Sequence, residues 1–162
     1  MIRNLSFIIF FMITGCFFNL IQHSELKKID LGYISTDNVD REFYAILKSN
    51  IDLHKLYSES KLLVTNEIFK CKLTPAELGD AEDGRNGLYG ILKSVKESSG
   101  EFIYPVKYLA EENYHLVTVQ EYIKLISVKT DKLYCQYQAY FYESASFKSK
   151  IFEIPIKDFL KD

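Results

Sequence analysis

A chain of 162 residues with 20 Lys and Arg against 22 Asp and Glu has a formal charge of −2, so it lacks the basic excess by which nucleic-acid binders hold phosphates. Twelve Tyr and twelve Phe with no Trp favour strands, and the length suits one domain with a real core. Ile, Lys, Asn and Phe are abundant but carry no functional signal of their own.

The chain opens with a single cation, Arg3, followed by an apolar run from Leu5 to Met12 and small residues before Cys16. That is the layout of an export signal. Three readings fit it. Leu5 to Ile21 is slightly shorter than the roughly 20 apolar residues of a spanning helix, and Ser6, Thr14, Gly15 and Asn19 interrupt it. An uncleaved anchor and an ordinary secretory peptide are therefore two of the readings. The third comes from Ile13-Thr14-Gly15-Cys16, which resembles the lipobox of bacterial lipoprotein signal peptides. The resemblance implies cleavage after Gly15 and lipidation of Cys16 by a diacylglyceryl group and an N-acyl chain. Several acyl chains together make a durable anchor where one does not. It further implies a cell-envelope protein facing the periplasm, at the outer membrane because Phe17 rather than Asp follows the cysteine. On this reading residues 1–15 are a signal peptide, 16–35 the lipidated Cys and a tether, and 36–162 one domain. Loss of Arg3 with the signal leaves 19 basic against 22 acidic groups, a net charge of −3.

With Cys16 lipidated, Cys71 and Cys135 remain. In an oxidising compartment such a pair is expected to bridge, unless the two are buried too far apart to join.

From Asp37 to Ser49 the spacing predicts a helix, with Asp37 as N-cap and Val39, Phe43, Ile46 and Leu47 as its apolar stripe. A shorter helix follows, capped by Asp52 and turning Leu53, Leu56 and Tyr57 inward. Leu62 to Leu73 reads as a strand. Thr74-Pro75-Ala76-Glu77 is a helix start, but Gly79, Gly84, Gly87 and Gly90 and the acids Asp80, Glu82 and Asp83 reduce it to a frayed turn and an exposed loop. Strands follow. Phe102, Tyr104, Val106 and Tyr108 alternate inward, and Pro105 predicts an edge or a bulge. Val117 to Val128 reads as a strand with a parity switch near Leu125. Lys132 to Tyr142 sends Leu133, Cys135, Tyr137, Ala139 and Phe141 to one face and Tyr134, Gln136, Gln138, Tyr140 and Tyr142 to the other. Lys150 to Ile156 pairs back with Phe152, Ile154 and Ile156 inward. Helices first and an antiparallel sheet after give an α+β domain.

Val39 to Asp52, Leu53 to Tyr57, Gly87 to Ser94, Leu133 to Tyr142 and Lys150 to Ile156 are together similar to small exported domains of the cystatin-like or NTF2-like families. The resemblance implies N-terminal helices packed on a curved antiparallel sheet, a cone with an internal pocket. It implies no single activity.

Chemistry-bearing residues are sparse. His23, His54 and His115 show no metal-ligand spacing, and neither Cys71 nor Cys135 has a CxxC partner, so no metal or cofactor is expected. Asp52 and His54 could form a catalytic dyad in an NTF2-like enzyme, against the plainer reading of a helix cap beside a solvated histidine. The acidic stretch Asp80 to Gly87 fails the EF-hand template in both glycine and glutamate positions. Tyr134, Gln136, Gln138, Tyr140 and Tyr142 form the face best suited to recognition, because Tyr joins a large apolar body to a hydrogen-bonding tip. The sequence thus predicts a membrane-anchored domain that binds a protein partner or a small ligand without catalysis, an immunity or inhibitor protein being one form. The other two classes are a structural or assembly accessory of the envelope and an enzyme using Asp52 and His54.

Overall fold

The structure, a computed structural model, describes residues 26–59, 63–79, 87–142 and 146–160. Signal peptide, Cys16, His23 and most of the acidic loop lie outside these residues. Among those described, ten strands form one antiparallel sheet in the order β1-β2-β6-β4-β3-β8-β10, with β5 and β7 also on β6 and β9 also on β8. The strands are β1 (Leu31–Val39), β2 (Glu42–Ser49), β3 (Val64–Lys72), β4 (Gly87–Leu92), β5 (Lys96–Ser98), β6 (Glu101–Glu112), β7 (His115–Val117), β8 (Lys132–Phe141), β9 (Ser146–Lys148) and β10 (Phe152–Pro155). Two short α-helices, α1 (Leu53–Glu59) and α2 (Val119–Ile126), and two 3-10 turns, Ala76–Leu78 and Ile156–Phe159, complete a sheet-dominated α+β fold. Among the described residues no helix is long and apolar enough to cross a membrane.

The helix expected at Asp37–Ser49 is instead a hairpin. Asp40 (φ 53°) and Arg41 (φ 67°) both adopt the left-handed conformation of a type I′ two-residue turn, whose twist matches that of the strands it joins. For residues other than Gly this conformation costs roughly 1–2 kcal/mol each. Three apolar side chains, Phe43, Ala45 and Leu47, are buried at alternate positions in return, and β2 gains a partner on each edge, β1 and β6. Burial of one Phe or Leu is worth about 1.5–3 kcal/mol, so the sheet wins. The N-terminal helices of the expected cone are therefore reduced, among the described residues, to α1. There Asp52 does cap the helix, accepting from the Lys55 N–H at 3.1 Å, and Leu53 and Tyr57 are buried as expected. Strand β1 begins at Leu31, inside the stretch read as tether.

The strand expected at Val117–Val128 is helix α2. Thr118 and Glu121 form a reciprocal capping box, and Val119, Tyr122, Ile123 and Ile126 recur at helical spacing and are all buried. Pro105 lies on the central strand β6, not at an edge. Its carbonyl accepts from the Lys93 N–H at 3.0 Å, so its missing N–H faces the junction between β4 and β5, where no strand is paired. Gly87 to Leu92 is strand β4 throughout, with no helical turn.

The sheet curls until its first strand meets its last turn. Tyr33 on β1 donates to Asp158 at 3.4 Å, and the Phe43 ring lies 6.0 Å from that of Phe159. Inside the curl lie Phe69, Tyr104, Tyr108, Tyr137, Leu47, Leu133 and Ile154, all at most 2 % exposed. Cys71 and Cys135 face each other across β3 and β8 and form a disulfide, with Cα atoms 4.0 Å apart and a sequence separation of 64. Reducing it, or the change Cys135→Ser, should remove about 2–4 kcal/mol of stability by freeing that loop in the unfolded chain. Thermal unfolding with and without reductant checks this, and a fall in Tm on the order of 10 °C is expected.

Candidate functional site

Strand β3 is paired along its whole length with β8, but with β4 only from Phe69 to Cys71. Beyond Gly90 the strand β4 turns away and pairs with β6 alone, as far as Leu92 opposite Val106. The gap left beside the start of β3 is a cleft of about 590 Å³, lined by His54, Tyr57 and Ser58 of α1, by Leu63 to Glu67, and by Ile91. Its size lies within the usual range of ligand sites.

Its polar feature is a chain of three groups. Tyr57 and Tyr137 share a hydrogen bond at 3.3 Å, and the Tyr137 hydroxyl donates to Glu67 Oε2 at 3.0 Å. Glu67 has the inward parity of Phe69 and Cys71, so a carboxylate stands on the core side of the sheet at the mouth of the curl. Among the described residues Tyr137 is its sole hydrogen-bond partner and no cation pairs with it. Burial raises the Tyr57 hydroxyl to about 12. Burial, reinforced by Tyr57 and the negative Glu67, holds Tyr137 far above the ordinary range.

Asp52 and His54 lie beside this cleft but are not hydrogen-bonded to each other. Asp52 caps α1 and accepts from the Tyr104 hydroxyl at 3.4 Å, while the His54 ring bonds the Lys93 carbonyl at 3.3 Å and packs on Tyr104. Among the described residues no three His, Cys, Asp or Glu side chains gather as metal ligands.

The five residues of the polar face on β8 are placed together, but they differ in availability. Gln138 is 1 % exposed and fully engaged: its amide donates to the Leu78 carbonyl and to Gln136, and its carbonyl accepts from Tyr140 at 2.6 Å. Gln136 in turn donates to the Ser149 carbonyl at 2.7 Å, and Tyr134 lies under Lys132. These contacts make the middle of the face an internal network closed by the 3-10 turn at Ala76–Leu78. Tyr142, 70 % exposed, is its open end, and its N–H bonds the Leu63 carbonyl at the rim of the cleft.

Glu67 was not singled out from the sequence, although the signal was there. Within Leu62–Leu73 it shares the parity of Phe69 and Cys71, and an acid on a core parity is the informative exception among charged residues. Neither a protein-family model, nor a curated protein, nor a solved structure matches this chain.

Two measurements test this geometry. Tyr137→Phe removes the one internal donor to Glu67 and should lower stability by about 1–2 kcal/mol in chemical denaturation, while leaving the circular dichroism spectrum unchanged. Tyr33, Tyr57 and Tyr122 are each raised by burial from 10.0 to about 12. A hydroxyl with a raised native pKa contributes stability that is complete below its unfolded value and lost as pH rises through its native value. Stability should therefore hold to about pH 10 and fall between about 10 and 12, with the absorbance of these three tyrosinates appearing together with unfolding.

Proposed function

We propose that this chain is a lipid-anchored protein of a bacterial cell envelope whose exported domain binds a protein partner or a small ligand without catalysing a reaction. An immunity or inhibitor protein is its most specific form. The observation that carries the binding half is the open cleft beside β3, with a largely apolar lining and a carboxylate that no cation among the described residues pairs. Exposed Tyr142 and Leu63 extend its rim. A contiguous apolar rim around a polar centre is the pattern of a contact surface.

The address rests on Arg3, the apolar run behind it and Ile13-Thr14-Gly15-Cys16. The Cys71–Cys135 disulfide fits the oxidising compartment such an address implies. Phe17 after Cys16 favours the outer membrane. A finer kinship, to cystatin-like or NTF2-like domains, has the curled antiparallel sheet and the short helix α1 in its favour and the hairpin at Asp37–Ser49 against it.

Two experiments decide between these readings. Cys16→Ser should shift the protein from the membrane fraction to the soluble one; retention in the membrane refutes the lipid anchor. A crosslinked pull-down from the native envelope should yield one stoichiometric partner that is lost on Tyr142→Ala. Many envelope components recovered at low yield would instead favour an assembly accessory.

A further inference from the structure

Five consecutive residues, Leu63 to Glu67, line the cleft. Alternate residues would line it if it lay on a face of the sheet; an unbroken run means that it lies along an edge. The direction of the backbone groups agrees. A Cβ on Gly87 would stand 2.6 Å from the Cys71 carbonyl oxygen, so that carbonyl points toward β4. Residues two and four positions earlier, Phe69 and Glu67, aim their N–H and C=O to the same side. For Phe69 the partner there is Gly90, the last pairing of β3 with β4. For Glu67 no strand among the described residues stands opposite, and its backbone groups face the cleft.

We infer that the cleft takes an extended segment of a partner protein, which adds as a strand to the open edge of β3 and sets a Lys or Arg side chain beside Glu67. This rests on the binding role proposed above and names its partner chemistry. Strand addition supplies affinity through main-chain hydrogen bonds and specificity through alternate side chains. A residue directly opposite Glu67 projects to the same face, with Cβ atoms about 4.5–5.5 Å apart, which is the reach of an ion pair. The carboxylate already accepts one hydrogen bond, from Tyr137, and among the described residues no cation pairs with it. A basic side chain supplies it. A second copy of this chain is the poorer occupant, because its own β3 offers no cation between Val64 and Ile68 and would bring a second Glu67 against the first.

The test uses the full-length protein in detergent micelles and heptapeptides of alternating Val and Thr with Lys, Arg, Gln or Glu at the centre. The Lys and Arg peptides should bind about tenfold or more tightly than the Gln and Glu peptides. Glu67→Gln, which keeps an acceptor for Tyr137, should erase that preference, and bound peptide should slow hydrogen exchange at the Glu67 amide. Three results of the peptide test overturn the inference. The first is peptide binding that ignores both the central charge and Glu67→Gln. The second is hexylammonium binding at Glu67 while the peptides do not bind and the Glu67 amide stays unprotected. The third is self-association of Glu67→Gln without peptide binding, which would make Glu67 a charge that merely guards an edge. A stoichiometric envelope partner unaffected by Glu67→Gln would sink this site and leave the binding function standing; no partner at all would sink the function itself.

Discussion

Several of the aromatic rings that fill the curled sheet are tyrosines, and each brings into an apolar interior a hydroxyl that is costly to leave unpaired. An unpaired buried hydroxyl costs about 1–3 kcal/mol, comparable to what burying the ring gains, so those oxygens dictate what stands at the two mouths of the curl. At one mouth Tyr104 accepts from the Leu53 N–H at 2.7 Å and donates to Asp52, pinning the start of α1. Tyr137 and Tyr57 bond each other, and Tyr137 reaches Glu67. At the other mouth Tyr33 bonds Thr36 and Asp158 and ties the first strand to the last turn.

The two mouths differ in how completely they are closed. Around Tyr108 the Phe69 and Phe159 rings pack at 6.0 and 5.3 Å, and burial, reinforced by Tyr33 and Asp158, pushes its hydroxyl well above the ordinary range. Thr36 lies nearby, but among the described residues no group completes a hydrogen bond to that oxygen. That end spends its polar groups on itself. The α1 end does not: Glu67 receives one hydrogen bond and keeps the rest of its carboxylate toward the cleft. The asymmetry between a sealed end and an end with spare valence locates the candidate site better than the size of the cleft does.

Strands with strict alternation were legible in the sequence. On β8 the residues Leu133, Cys135, Tyr137, Ala139 and Phe141 are all buried, and Phe152, Ile154 and Ile156 answer them as expected. The disulfide was expected from the number of cysteines and a proposed oxidising compartment, and register explains it, since Cys71 and Cys135 stand directly opposite on neighbouring strands. The hairpin at Asp37–Ser49 was not legible, because Asp40-Arg41 carries none of the Gly or Asn that marks a type I′ turn. Phe43 and Leu47 fit both periods, since a separation of four suits one face of a helix and, being even, one face of a strand. Only the partners β1 and β6 break that tie, and partners are long-range information. At Val117–Val128 the error ran the other way: Thr118 and Glu121 spelled a capping box, but β-branched neighbours drew the reading toward a strand. The polar face of β8 was correctly placed on one side of its strand. What parity could not reveal is that the turn at Ala76–Leu78 closes over Gln138.

An inward acid at the open edge of a sheet admits two physical roles, and the surroundings of Glu67 separate them. A guard charge works by being costly to bury under an incoming strand, so it is most effective when fully solvated and free of internal hydrogen bonds. Glu67 is only partly exposed and is already oriented by a buried tyrosine whose own position is fixed by the core. Much of its desolvation is thus already incurred by the fold, and its rotamer is set before anything arrives. A strand carrying a neutral or acidic residue would still be opposed there. One carrying a cation would meet a preorganised carboxylate in a partly dry site, where a charge-assisted hydrogen bond is stronger than at an open surface. The same side chain therefore repels most edges, including that of another copy, while selecting for basic ones.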